Sequence, residues 1–182
     1  YGQKLFSAFG NSPMGYALPA SIGASIVTKK SKVICIEGDG SIQISLQELH
    51  TIDKLKLPIK IFILNNDGYG IIKQFQELYL EKRYEASGKG VSNPNFKKLA
   101  KAFNINYTLI KNHLDIKKLN KLIKSNCAEI IEIKIKSDQK IIPKLQFGNP
   151  IEDMFPLLPR KEIYQNMEIS LAKRDKKIFE AN

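Results

Sequence analysis

Tryptophan is absent from this chain, cysteine and histidine occur twice each, and arginine three times. Each scarcity excludes something. Two cysteines, Cys35 and Cys127, are too few for a disulfide scaffold and too far apart for a metal-knuckle spacing. Both are read as buried, reduced and inert, which points to a cytoplasmic compartment. His50 and His113 have neither ligand spacing nor a partner carboxylate, so histidine catalysis is not expected. Apolar runs such as Ile61 to Leu64 fall far short of the roughly 20 residues that cross a bilayer, and no membrane association is expected. No basic-then-apolar leader opens the chain, and Tyr1 stands where an initiator Met would, so the chain is expected to be a fragment.

Scarce arginine also decides what the charge means. Lys plus Arg number 29 against 18 Asp plus Glu, a net +11, but only Arg83, Arg160 and Arg174 carry the planar fork that base readers use. The excess is therefore read as lysine on solvated faces, and specific nucleic-acid binding is not expected. At 182 residues and 43% hydrophobic, the chain is long enough to bury one substantial core.

What is present alternates. Lys32 to Ile36, Ile59 to Leu64, Asn106 to Ile110 and Glu129 to Ile135 read as short strands rich in β-branched residues. Helical periodicity is read over Gly15 to Thr28, from Ser41 to Pro58 on Ile42, Ile44, Leu46, Leu49, Ile52 and Leu55, and again over Ile71 to Tyr84, Phe96 to Phe103 and Ile116 to Lys124. The stretch from Ala86 to Asn95 is rich in Ser, Gly, Asn and Pro and reads as a mobile loop; its Ser87-Gly88-Lys89-Gly90 lacks the upstream Gly and strand of a phosphate-binding loop. This alternation predicts an α/β fold, a parallel sheet flanked by helices on both faces. Residues 1–145 are expected to form the domain. Residues 146–182 are expected to form a C-terminal arm, broken by Pro150, Pro156 and Pro159 before a short helix at Lys161 to Met167.

One constellation carries chemistry. Gly38-Asp39-Gly40-Ser41 ends the first strand, and Asn65-Asn66 ends the next, with Asp39 and Asn66 27 positions apart. A strand, a crossover helix and a parallel strand consume about that length, and the crossover returns both strand ends to the same sheet edge. Either motif alone would be an ordinary turn. Together they aim two oxygen ligands into the crevice where open α/β sheets bind ligands, beside a helix start that suits an anion. A helix terminus supplies only about half a positive charge, far less than a diphosphate requires, so a metal is expected. The Asp39 carboxylate, the Asn66 amide oxygen and the Gly68 carbonyl suit a hard octahedral cation, Mg²⁺.

These residues resemble the thiamine diphosphate signature, and most of the chain is similar to the C-terminal, diphosphate-binding domain of the acetolactate synthase (acetohydroxyacid synthase) family. The likeness runs through Met14-Gly15-Tyr16-Ala17-Leu18-Pro19-Ala20, Gly70-Ile71-Ile72-Lys73-Gln74-Phe75-Gln76, Lys82-Arg83-Tyr84 and Asn93-Pro94-Asn95-Phe96. It implies that Asp39, Asn66 and Gly68 hold Mg²⁺. It places Gly38, Gly40, Ser41, Tyr69, Gly70 and Ile71 around thiamine diphosphate, Met14 under the bent cofactor, and the Ser12 carbonyl toward its amino group. Ile71, Gln74 and Phe75 would line the substrate pocket. Phe75 and Ile71 replace the Trp and Met of acetohydroxyacid synthases proper, which leaves the acceptor substrate open.

The resemblance also implies partners. The activating Glu would lie on an N-terminal domain not in this chain, contributed by a neighbouring subunit, so a homodimer or higher oligomer is expected and this chain by itself should be inactive. Any FAD would bind a middle domain that is likewise absent. The implied activity is decarboxylation of pyruvate, or a similar 2-oxo acid, with transfer of the two-carbon unit to a second carbonyl. Simple 2-oxo acid decarboxylation and a non-catalytic, basic polyanion-binding module are the alternatives.

Overall fold

The computed structural model describes residues 2–8, 10–88 and 90–167; Tyr1, Lys89, Arg174 and the end of the expected arm lie outside them. The chain divides into two compact units, 1–139 and 140–182. In the first, four strands, β1 (Val33–Gly38), β2 (Ile59–Asn65), β3 (Asn106–Ile110) and β4 (Glu129–Lys134), form one sheet in the order β1-β2-β4-β3. Every pairing is parallel.

Alternation along each strand builds two faces. Cys35, Ile59, Ile61, Ile63 and Ile130 point to one, where they pack with Leu18 and Ile22 of α1 (Ala17–Val27), Leu49 and Ile52 of α3 (Glu48–Leu55), and Phe96 and Ala100 of α5 (Phe96–Ala102). Phe62, Ile110 and Ile131 point to the other and meet Leu119 and Leu122 of α6 (Leu119–Lys124). The change of face has a topological cause. The connections β1 to β2 and β2 to β3 travel one way along the sheet, whereas β3 to β4 travels back, and a right-handed crossover running backwards must use the opposite face. Ile34 and Ile36, on that second face of β1, are exposed.

The expected single helix from Ser41 to Pro58 is instead broken. A four-residue α2 (Asp39–Ile42) passes into a 3₁₀ turn at Gln43–Ser45 before α3 begins, and Ile44 is exposed rather than core. The Gln43 side-chain amide donates to the Asp39 carbonyl at 3.2 Å, competing for the acceptor that helix continuation needs. Likewise α4 (Gly70–Tyr79) stops short of Tyr84. Leu80 and Lys82 both donate to the Gln76 carbonyl, and Glu81 and Lys82 turn left-handed, which reverses the chain. The segment expected as a helix from Ile116 opens as a 3₁₀ helix, His113–Lys118, capped by the Asn112 side chain on the Leu114 N–H.

Unit 140–182 holds an antiparallel bridge between Lys144 and Phe155 and a helix α7 (Arg160–Asn166) that buries Ile163. Arg160 grips the buried Asp153 with two bonds, at 2.8 and 3.0 Å. Among the described residues, no helix is long and apolar enough to cross a membrane.

The two cysteines differ, against the expectation that both are buried. Cys35 is buried and Cys127 is exposed. Burial first, then the nearby Glu37, pushes the Cys35 thiol up to about 12. Cys127 lies where the fully buried Lys60 ends; the Lys60 ammonium donates to the Ser125 hydroxyl and the Cys127 carbonyl. The Ser125 hydroxyl, then Lys60 and Asn106, hold the Cys127 thiol below its ordinary value. Thiolate is the reactive form, so iodoacetamide at neutral pH should alkylate Cys127 in the native chain and spare Cys35, with both labelled in denaturant. Peptide mass mapping reads the outcome.

Candidate functional site

The register sets Gly38 beside Leu64, so the residues that follow, Asp39 and then Asn65-Asn66, leave the sheet at one end. Asp39 opens α2 and is 1% exposed. Its Oδ1 accepts the Gly40 N–H at 3.0 Å; its Oδ2 accepts the Gly68 N–H at 3.1 Å and the Asn93 Nδ2 at 2.6 Å. These donors are all neutral. A buried carboxylate with only neutral donors still lacks a countercharge.

Beside it stands the Asn66 amide. One of its two terminal atoms lies 3.2 Å from Asp39 Oδ1 and 2.7 Å from the Gly68 carbonyl oxygen. With nitrogen there, the amide donates to both. That is the orientation the hydrogen bonds satisfy; turned over toward a cation, the amide would put its oxygen there, and the same two distances bracket the roughly 3 Å edge of an octahedron of oxygens about 2.1 Å from Mg²⁺. Among the described residues, no group of three or more His, Cys, Asp or Glu could hold a metal. A site with one carboxylate suits Mg²⁺, which is commonly completed by phosphate oxygens and water.

The other expected residues fall around this edge. Gly38, extended, caps α2. Gly40 is buried, and a methyl group there would overlap the Tyr69 ring, so the close approach of Tyr69 already requires glycine. Gly70 opens α4 against the Asn66 amide. The Ser41 hydroxyl turns inward, donating to Glu37 Oε1 at 2.9 Å and accepting the Gly15 N–H at 2.9 Å. It thereby pins the turn before α1, where Gly15 has φ +79°, next to the half-exposed Met14 and the exposed Ser12. On α4, Ile71 and Phe75 share one face one turn apart. Ile71 is exposed and Phe75 meets the Tyr79 ring at a tilt, whereas Gln74 is buried.

Four residues of the site were given no role from the sequence. Glu37, immediately before the Gly-Asp-Gly, is buried with Oε2 lacking a well-aligned donor, although the backbone N–H groups of Ala17, Gly15 and Leu18 face its carboxyl. Burial outweighs these donors and the Ser41 hydroxyl, and holds the carboxyl above its ordinary value. Gln43 bridges the Asp39 carbonyl and Asn93 Oδ1. Asn93 clamps Asp39, and Asn65 accepts from Asn93 Nδ2 at 3.3 Å. Asn65 and Asn93 stood in motifs, Asn65-Asn66 and the Asn-Pro pair ahead of α5, whereas Glu37 and Gln43 had no signal. The loop expected to be mobile is irregular but tied at both ends. Ser87 is buried, its hydroxyl on Gln76 and its carbonyl on the Tyr69 N–H, and Asn93 is held as above.

Gly40→Ala should cost about 1–3 kcal/mol of stability by forcing the Tyr69 ring aside, and adding Tyr69→Ala should remove the clash term, so that the two changes are non-additive. Urea unfolding of the single and double variants measures this.

Comparison with known proteins bears on the same residues. Residues 2–133 match the family described as thiamine pyrophosphate enzyme, C-terminal TPP binding domain. An acetolactate synthase large subunit from Cyanidium caldarium is 34% identical over 164 residues, covering 90% of this chain and 28% of that protein. The corresponding subunit of Porphyra purpurea is 45% identical over 106 residues, 58% of this chain and 18% of that protein. The mitochondrial acetolactate synthase of Schizosaccharomyces pombe is 34% identical over 149 residues, 81% and 22% of the two chains. Among solved structures, a thiamine diphosphate-dependent 4-hydroxybenzoylformate decarboxylase from Rhodococcus jostii superposes with a TM-score of 0.61 at 26% identity, covering 70% of this chain and 24% of that one. The chain thus spans less than a third of each of these proteins. It belongs to the thiamine pyrophosphate enzyme family, as a C-terminal TPP-binding domain, and is similar to that part of acetolactate synthases.

Proposed function

We propose that Asp39, Asn66 and the Gly68 carbonyl hold a Mg²⁺ ion that fastens the diphosphate of thiamine diphosphate to this edge, in an enzyme that condenses 2-oxo acids as acetolactate synthases do. The observation that carries the reading is that the Asn66 side-chain amide stands 3.2 Å from the buried Asp39 carboxylate and 2.7 Å from the Gly68 carbonyl oxygen, so that turning the amide over would gather three oxygens beside a carboxylate that has only neutral donors among the described residues. Bound there, the cofactor supplies the electron sink for decarboxylating a 2-oxo acid. The protein's part is placement. Gly38, Gly40 and Ser41 face the diphosphate with backbone, and Tyr69, Gly70 and Ile71 flank it. With the cofactor bound, Met14 would lie under it, the Ser12 carbonyl would be available to its amino group, and Ile71, Gln74 and Phe75 would border the substrate. The fixed Gly15 to Ser41 bond would keep the Met14 turn at a constant height above the diphosphate end.

The proposed whole enzyme is a homodimer or higher oligomer whose activating Glu lies outside this chain, with pyruvate as donor substrate. The full-length protein, given pyruvate, thiamine diphosphate and Mg²⁺, should release CO₂ and form a 2-hydroxy-2-methyl-3-oxo acid. Asp39→Ala should lower that rate by at least about a hundredfold, the scale of losing a principal electrostatic contact. Acetaldehyde as the sole product would replace the carboligase reading with simple decarboxylation. Full activity in Asp39→Ala would overturn the site.

A further inference from the structure

A second chain of polar groups runs behind the site, across three of the strands and into the loop that clamps Asp39. Glu132 on β4 is 6% exposed and Asn65 at the end of β2 is 2% exposed. Tyr107 on β3 donates its hydroxyl to Glu132 Oε2 at 2.6 Å, and Asn65 Nδ2 donates to Glu132 Oε1 at 2.7 Å. Lys134 stands 3.6 Å from Oε1. On its other side, Asn65 Oδ1 accepts the Asp67 N–H at 3.0 Å and Asn93 Nδ2 at 3.3 Å. Asn93 Oδ1 accepts from Gln43 at 3.0 Å, and Asn93 Nδ2 reaches Asp39 Oδ2 at 2.6 Å.

The direction of each bond follows from the one before. An ionised carboxylate can only accept, whereas an asparagine amide presents a donor on one side and an acceptor on the other. With Glu132 accepting, Asn65 must turn its nitrogen toward β4, which leaves its oxygen toward the loop. That oxygen in turn demands a donor from Asn93. Reversing any amide would set two acceptors or two donors against each other in a buried place, where an unmade bond is costly. Asn93 therefore presents nitrogen to Asp39 Oδ2, and Asp39 Oδ1 is left toward Asn66.

We infer that Glu132 is a positioning residue of the cation site, acting through Asn65 and Asn93 to orient the Asp39 carboxylate. The inference rests on Asp39, Asn66 and Gly68 being that site. It gives a role to Glu132, a buried acid between Ile131 and Ile133, and to Asn65, whose amide bonds Glu132 on one side and Asn93 on the other.

The test compares the full chain with Glu132→Gln, Asn93→Ala and the double variant, titrating Mn²⁺ in the presence of thiamine diphosphate and counting free Mn²⁺ by electron paramagnetic resonance. Gln at 132 has one acceptor oxygen for two donors, so binding should weaken about tenfold, the lower end of the range for outer ligand partners. Asn93→Ala should weaken it similarly, and the double variant should be no worse than the weaker single one, because both break the same relay. The side-chain amide resonances of Asn65 and Asn93 should shift in Glu132→Gln, a signature that general loosening of the strand would not confine to those two groups. If Glu132→Gln does not fold, Asn65→Leu breaks the next link and is judged by the same cycle with Asn93→Ala. A folded variant that binds Mn²⁺ as the parent does, or losses that multiply in the double variant, would overturn the relay. A parent chain that takes up no Mn²⁺ overturns the cation site itself, and the relay with it.

Discussion

A carboxylate buried without a countercharge is the constraint on which the rest of this structure turns. Asp39 is sealed from solvent yet, among the described residues, meets only N–H groups, and such an arrangement is tolerable when a cation completes it. The elements that surround it are shaped by that demand. Helix α2 lasts a single turn because Gln43 returns to the Asp39 carbonyl. The β2 to α4 turn brings the Gly68 N–H onto one carboxylate oxygen and the Asn66 amide beside the other. The loop before α5 is irregular but ends in Asn93, which holds Asp39 from above.

The sheet makes this possible. Parallel pairing in register puts the ends of β1 and β2 side by side, and right-handed crossovers keep those ends at one edge. The interior faces are largely isoleucine, and polar residues gather where the strands end. Glu37, Asn65, Glu132 and Tyr107 all lie on the face covered by α1, α3 and α5, toward that edge. A rigid, apolar sheet thus carries a polar rim whose amides have one satisfiable orientation each.

Much of this was legible in the sequence, for identifiable reasons. The four strands show as β-branched runs because buried parallel strands have no polar face to disguise them, and Asn106 to Ile110 is found where it was read. The Asp39 and Asn66 pair was visible because its spacing is set by chain length through a crossover. Helix ends were harder to read, since Gln43 and Gln76 terminate helices with side-chain and backbone bonds that periodicity does not register. Cys127 was misplaced because its exposure depends on the end of α6 and on Lys60, a lysine hidden inside an apolar strand. Glu37 and Glu132 were passed over as strand acids, and nothing local reveals that such a residue is buried and orients its neighbours.

The most direct test of the central claim is the melting temperature of the chain with thiamine diphosphate and Mg²⁺ together, with each alone, and with both on Asp39→Ala. Ligand at a hundred times its dissociation constant adds about 2.7 kcal/mol of stability. The account predicts a rise that requires both components and vanishes in the variant. An equal rise with thiamine diphosphate alone, or a rise that survives Asp39→Ala, would contradict it.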